Sequence, residues 1–228
     1  MRLVTLSIRM LCALALLLSS QVARGQAPAP VRFVDGSTVV SQQDPAARIQ
    51  VASTASYVGA VRFVLFGVAD CEIHLYVDAD AAKRIRRLYW VQFEAYLPGR
   101  PDLRYAPHPA FRPTELGGVP FYHRARFGRS ADPIQPGSEA EHVLALLRAH
   151  GYVLPEETVN VTYKHFPDSS MRKELLMIVL EDMSLWGVTV AQLVQDGQVQ
   201  PAWETVATRL LQQAPSAFTV TLSPAAPR

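Results

Sequence analysis

The sequence predicts an α+β fold: a largely antiparallel sheet with about three helices packed on one face and a long proline-rich loop. Three observations predict it. Strand-like segments follow one another in runs and do not alternate with helices, which points to antiparallel hairpins and away from βαβ units. Helical patterns are confined to three stretches of the second half, each with a recognisable start or stop residue. Between the halves, residues 98–136 carry eight prolines (Pro98, Pro101, Pro107, Pro109, Pro113, Pro120, Pro133 and Pro136), more than regular structure tolerates.

The chain opens on a secretory signal pattern. Arg2 and Arg9 form a basic start, "MLCALALLLSS" is an apolar run, and Ala23 and Gly25 stand at the small-residue positions of a cleavage before Gln26. The run is too short for a stable bilayer span, and Cys12 lies inside it, not behind it where a lipid-modified cysteine would stand. The expected division is a signal peptide over 1–25, an extended leader over 26–30, a single α+β domain over 31–222 and a tail over 223–228. Export to the periplasm or the medium follows. No later stretch is apolar enough to span a membrane, so no membrane insertion is expected after cleavage.

Cleavage changes the charge. The whole chain carries +2, from 22 basic and 20 acidic residues. Arg2, Arg9 and Arg24 leave with the signal and no acid does, so 19 basic residues remain against 20 acidic, near −1. A nucleic-acid partner is not expected without a basic surplus. Only Lys83, Lys164 and Lys173 are lysine, and alanine and proline are abundant, the usage of a GC-rich bacterial genome. Cys71 alone remains after cleavage, so no internal disulfide can form, and the core must hold about 200 residues by itself. A small buried hydrophobe is the plain reading of that cysteine.

In order, "VRFVDGSTVV" offers a hairpin about Asp35-Gly36, and "ARIQVAS" follows as a strand. Ala60 to Val68 is apolar on both faces apart from Arg62 and is expected in the centre of a sheet. Strands at Cys71–Val77 and Ile85–Ala95 flank the turn "DADAAKR". Within the proline-rich crossing, only "VPFYHRARF" is strand-like. A connection this long is often a binding loop or a lid, or else a wrap around the sheet edge. Ser138 with Glu141 forms a capping-box pattern at the start of the first helix, and Gly151 is placed to end it. "TVNVTYKHF" and "RKELLMIVLEDM" read as a hairpin, and "LLMIVL" as a strand covered on both faces. Thr189 caps a short helix. Pro201 opens a last helix carrying Trp203, Val206, Leu210 and Leu211. "FTVTL" closes the domain.

The hydrolase elbow, zinc, phosphate-loop and Cys-x-x-Cys motifs are absent. "DADAA" resembles a calcium-loop start, but Ala82 stands where an oxygen ligand belongs and the glycine is missing. Chemistry is therefore sought on the sheet faces. Side chains alternate along a strand, so Asp70, Glu72, His74 and Tyr76 share one face, as do Arg86, Leu88, Trp90, Gln92, Glu94 and Tyr96 on the return strand. If the turn pairs Val77 with Ile85, these sets lie on the same side of the sheet, with Glu72 opposite Trp90 and His74 opposite Leu88. Glu72, His74 and Glu94 are then candidates for general acid–base chemistry, and Tyr76, Trp90, Gln92, Tyr96 and Arg86 for ligand contacts. A one-residue slip in register would break the constellation. The carboxylates and His74 also suit a divalent metal in type, but no motif spacing supports one; no metal or cofactor is assigned. Arg124 and Arg126 share a face and could reach an acidic ligand group. His123 reads as a core histidine.

The leading expectation is an exported bacterial protein that binds a small molecule in a groove on the antiparallel sheet. Its rivals are a hydrolase or isomerase with a His/Glu acid–base pair, and an envelope interaction module that docks a protein partner or forms a homo-oligomer.

Overall fold

Eight of the twelve pairs of strands adjacent in the chain are hydrogen-bonded to one another. The computed structural model describes residues 28–223. In chain order its strands are β1 (Phe33–Asp35), β2 (Thr38–Ser41), β3 (Ala47–Val51), β4 (Ser56–Leu65), β5 (Ala69–Ala79), β6 (Ile85–Tyr96), β7 (Arg112–Leu116), β8 (Val119–Arg129), β9 (Glu157–His165), β10 (Lys173–Asp182), β11 (Val194–Gln195), β12 (Gln198–Val199) and β13 (Phe218–Leu222). The helices are α1 (Glu139–Ala149), α2 (Val190–Leu193) and α3 (Ala202–Gln213). The fold is α+β and mainly antiparallel sheet. The expected signal peptide, the first two leader residues and the tail beyond residue 223 lie outside the described residues.

Four strands, in the order β1-β2-β3-β13, make a small sheet; seven, in the order β4-β5-β6-β10-β9-β8-β7, make a large one. The closing strand thus joins the N-terminal hairpin in a sheet of its own. Period-two burial explains the small sheet: Ala47, Ile49 and Val51 of β3 point inward while Arg48 and Gln50 face water. Its apolar side packs with Tyr76, Tyr89, Val91, Phe93, Val161, Tyr163 and Met177 from one face of the large sheet, and α2 and α3 add Val190, Leu193, Val206 and Leu210 to this core. The opposite face holds Cys71, Ile73, Leu75, Val77 and Leu88, which pack under Val143 and Leu147 of α1. The three helices therefore do not share one face; α1 covers one side of the large sheet, and α2 and α3 flank the small sheet on the other.

Local sequence accounts for several joints. Gly36 takes φ +58° in the first hairpin turn, and Gly151, at +76°, ends the region of α1. Thr189 and Gln192 form a reciprocal capping box on α2. Ser138, by contrast, makes no side-chain cap on α1; the Glu141 carboxylate accepts instead from the Gly137 amide at 2.6 Å. The segment expected at a sheet centre is the edge strand β4. Its apolar residues are accounted for by α1, which covers Val58, Phe63 and Leu65 and leaves Val64 exposed on the other face. Inside the proline-rich crossing, β7 pairs with β8 through a Gly117-Gly118 turn, and Pro113 sits in the edge strand, where no ladder amide is needed.

The register of β5 against β6 corrects the expected one. Ala79, not Val77, lies opposite Ile85, and Asp78 lies opposite Arg87, so Arg86 is an extra residue bulged out of the ladder. The turn fixes this: the Asp80 carboxylate accepts the amides of Ala82 and Arg84, both at 2.9 Å, and closes the loop at five residues, 80–84. That one inserted residue reverses the parity of every later pair. His74 faces Val91, Glu72 faces Phe93, and Cys71 faces Glu94.

Candidate functional site

The bulge divides the expected constellation between the two faces of the sheet. Glu72, His74 and Tyr76 point toward the small sheet, and Trp90, Gln92, Glu94 and Tyr96 point toward the α1 side. Arg86 stands outside both, exposed and 3.7 Å from Asp78. No patch joins all of these residues.

On the small-sheet side, Glu72 anchors the N-terminal chain. Its carboxylate accepts the Val31 amide at 2.9 Å, the Arg32 amide at 3.0 Å, the Arg32 guanidinium at 3.3 Å and His74 Nε2 at 2.9 Å. Burial pushes the Glu72 carboxyl up, but the His74 hydrogen bond, the two amides and Arg32 outweigh it and hold the group below its ordinary value. His74 Nδ1 lies 3.2 Å from the Tyr57 hydroxyl. The ring therefore presents Nε2 to Glu72 and Nδ1 to the Tyr57 hydroxyl. Burial raises that phenol to about 12, so it stays protonated as a donor. Glu72 and His74 are each 1 % exposed, and the cavity nearest Glu72 is a polar crevice crossed by Arg32 and the Lys173–Asp44 ion pair. These residues form a packed lock for the strand entry. Tyr76 is buried behind it, its phenol oxygen without a hydrogen-bond partner among the described residues.

The α1 side carries a cavity of about 310 Å³. Leu88, Trp90, Ile178 and Leu180 form its floor, Val143 and Leu144 of α1 its roof, and Pro133 and Ile134 of the crossing one rim. Asn160, Thr162 and Arg126 line the side toward β8 and β9. Ridge geometry explains its apolar floor: Trp90 lies opposite Ile178 and Leu88 opposite Leu180 across β6 and β10. The volume, the apolar walls and the few polar groups on one side are the usual composition of a small-ligand pocket.

A hydrogen-bond chain runs from this cavity along β6. Trp90 Nε1 donates to Gln92 Oε1 at 2.9 Å, and Gln92 Nε2 donates to Glu94 Oε2 at 2.7 Å. Tyr105, from the proline-rich crossing, donates to Glu94 Oε1 at 2.7 Å and stacks on Tyr96 with ring centroids 4.3 Å apart. The crossing therefore does cover this part of the sheet. Glu94 is paired across the ladder with Glu174, whose oxygens accept from Lys164 at 2.9 and 3.1 Å. Burial raises the Glu94 carboxyl to about 7, against the pull of the Tyr105 and Gln92 hydrogen bonds and with the help of Glu174. Burial raises Glu174 too, opposed by Lys164.

The chain matches no protein-family model, no curated protein and no solved structure. Function must be read from geometry alone. Among the described residues, no group of three or more His, Cys, Asp or Glu side chains is placed to hold a metal ion, and no helix is long and apolar enough to cross a membrane. Cys71 is fully buried and burial pushes its thiol up. Tyr105, Asn160, Thr162 and Ile178 were not singled out from the sequence. Asn160 and Thr162 share the even face of β9 with Lys164, a polar alternation in "TVNVTYKHF" that signals a face which is not plain core. Tyr105 carries no such signal, because nothing in a proline-rich loop says where it folds back.

Proposed function

We propose that the protein is an exported binding protein whose ligand, a small and largely apolar molecule, occupies the cavity between the large sheet and α1. The observation that carries this reading is the cavity itself: about 310 Å³ of apolar-floored space with Trp90 in its wall and the unpaired polar groups of Asn160 and Thr162 beside it. Neither of those two side chains makes a hydrogen bond among the described residues, although Thr162 is only 8 % exposed. The signal pattern of residues 1–25 supports the exported setting. The test is a calorimetric titration of the purified protein with decanol and decanoate, repeated on Leu144→Trp, which fills the cavity from its roof. Saturable one-site binding that the filled variant loses while keeping its circular dichroism supports the reading. Absence of saturable binding, or binding indifferent to filling, overturns it.

One observation favours a second reading, an enzyme that uses Glu94 for proton transfer. A buried carboxyl held near pH 7 and joined to a cavity by hydrogen bonds suits that work. Such a protein would keep ligand but lose turnover in Glu94→Gln. A His74–Glu94 pair is not available to it, since the sheet lies between them.

A further inference from the structure

The cavity is polarised. Its β6–β10 half, under α1, presents Leu88, Trp90, Ile178 and Leu180, whereas its β8–β9 half presents Arg126, Asn160 and Thr162. Arg126 lies directly across from Asn160, and Arg124 across from Thr162, so both arginines rise from the cavity face of β8. Neither has a carboxylate within ion-pair distance among the described residues. Arg32, Arg48, Arg62, Arg86, Arg87, Arg100 and Arg129 are each paired with an acid, whereas Arg126 is left without one on the wall of a cavity. The contrast is sharpest with Arg129 on the same strand, which lies 3.4 Å from Glu157. Asp132, the acid on the cavity wall, already accepts the Arg129 amide at 2.9 Å. A guanidinium fork without a partner beside open amide and hydroxyl groups is suited to two oxygens of an anion.

We infer that the ligand is a single-chain amphiphile whose apolar part lies over Trp90 and Ile178 and whose anionic oxygen headgroup lies against Arg126, with Arg124 adding charge behind it. This rests on the cavity being the binding site, as proposed above. A volume of about 310 Å³ is at the lower end for ligand pockets, so one chain fits and a two-chain lipid does not. The headgroup is named by its chemistry; a carboxylate and a phosphate monoester are the two forms the fork accepts.

The experiment compares decanoate, decyl phosphate and decanol on the purified protein, on Arg126→Gln and on Arg48→Gln. An anion held by a charge-assisted pair should bind about 10- to 100-fold more tightly than decanol. Arg126→Gln should remove that preference, and Arg48→Gln, on the small sheet away from the cavity, should leave it intact. The ratio of decanoate to decyl phosphate affinity assigns the headgroup. Equal affinity for decanol and both anions, or a preference that survives Arg126→Gln, overturns the inference and leaves the cavity reading standing. If none of the three binds, the cavity reading falls and the inference falls with it. Arg126 is exposed, so the variant keeps its fold, which its melting temperature verifies.

Discussion

Replacing Glu94 with glutamine should stabilise the protein at high pH and do little at low pH. The carboxyl is 8 % exposed and is raised from 4.5 to about 7, first by burial. Its folded value lies above its unfolded value, so its stabilising contribution is complete below about pH 4.5 and is lost as pH rises through about 7. At about 1.36 kcal/mol per tenfold change in proton activity, that loss amounts to about 3 kcal/mol. The introduced amide imitates the protonated acid: its oxygen can accept from Gln92, and its nitrogen can donate to the Tyr105 hydroxyl oxygen. The variant thus escapes the loss. For a domain of this size, about 2–4 °C per kcal/mol gives a gain of roughly 6–12 °C near pH 8 and almost none near pH 4. Thermal unfolding followed by circular dichroism across that range measures it. A difference between the two proteins that does not change with pH, or a variant less stable near pH 8, would refute the reasoning.

The remaining predictions concern the lock and the hinge-free turns around the site. Glu72→Ala leaves the Arg32 guanidinium, 10 % exposed and 3.8 Å over the Phe93 ring, without its anion. Denaturant unfolding should show a loss of about 3–5 kcal/mol, and a loss under about 1 kcal/mol would mean the N-terminal chain is not anchored there. Gly117→Ala places a Cβ 2.9 Å from the Val220 carbonyl at φ +58°, where the neighbour is backbone and cannot turn aside. It should cost about 2 kcal/mol or more, beyond the 1–2 kcal/mol of the left-handed conformation alone. Gly36→Ala, at the same φ with open space around it, should show only that smaller cost. Tyr105→Phe removes the donor to Glu94 while keeping the stack on Tyr96, so Tyr96 packing should persist and the Glu94 carboxyl should titrate higher still, as read by carboxyl-resolved NMR.

Much of the fold was legible because local chemistry determines it. The Asp35-Gly36 turn, the Gly151 stop and the Thr189–Gln192 box each depend on residues within one turn of themselves. The hairpin of β9 and β10 follows from two adjacent apolar runs. The division of the helices between the two faces was not legible, since both faces of "LLMIVL" are apolar and nothing local says which helix covers which. Nor was the existence of a second sheet, for β13 pairs with β3 across most of the chain.

The site was half legible. Trp90, Gln92 and Glu94 are on one face, as alternation requires, and Arg124 and Arg126 do share the face that carries the cavity. Glu72 and His74 do not join them, because they lie on the other face. "RIRRL" gives no sign that Arg86 is bulged, and the bulge depends on the Asp80 carboxylate closing the turn on the amides of Ala82 and Arg84. One residue of register moved two glutamates and a histidine from a shared groove to opposite sides of a sheet.

The most direct test of the central claim is a crystal of the protein grown with a terminally brominated decanoate, with data collected at the bromine absorption edge. A bromine anomalous peak between the sheet and α1, among Leu88, Trp90, Leu144 and Ile178, is the result predicted here. Saturating ligand with no peak in that cavity, or a peak only elsewhere on the molecule, would contradict it.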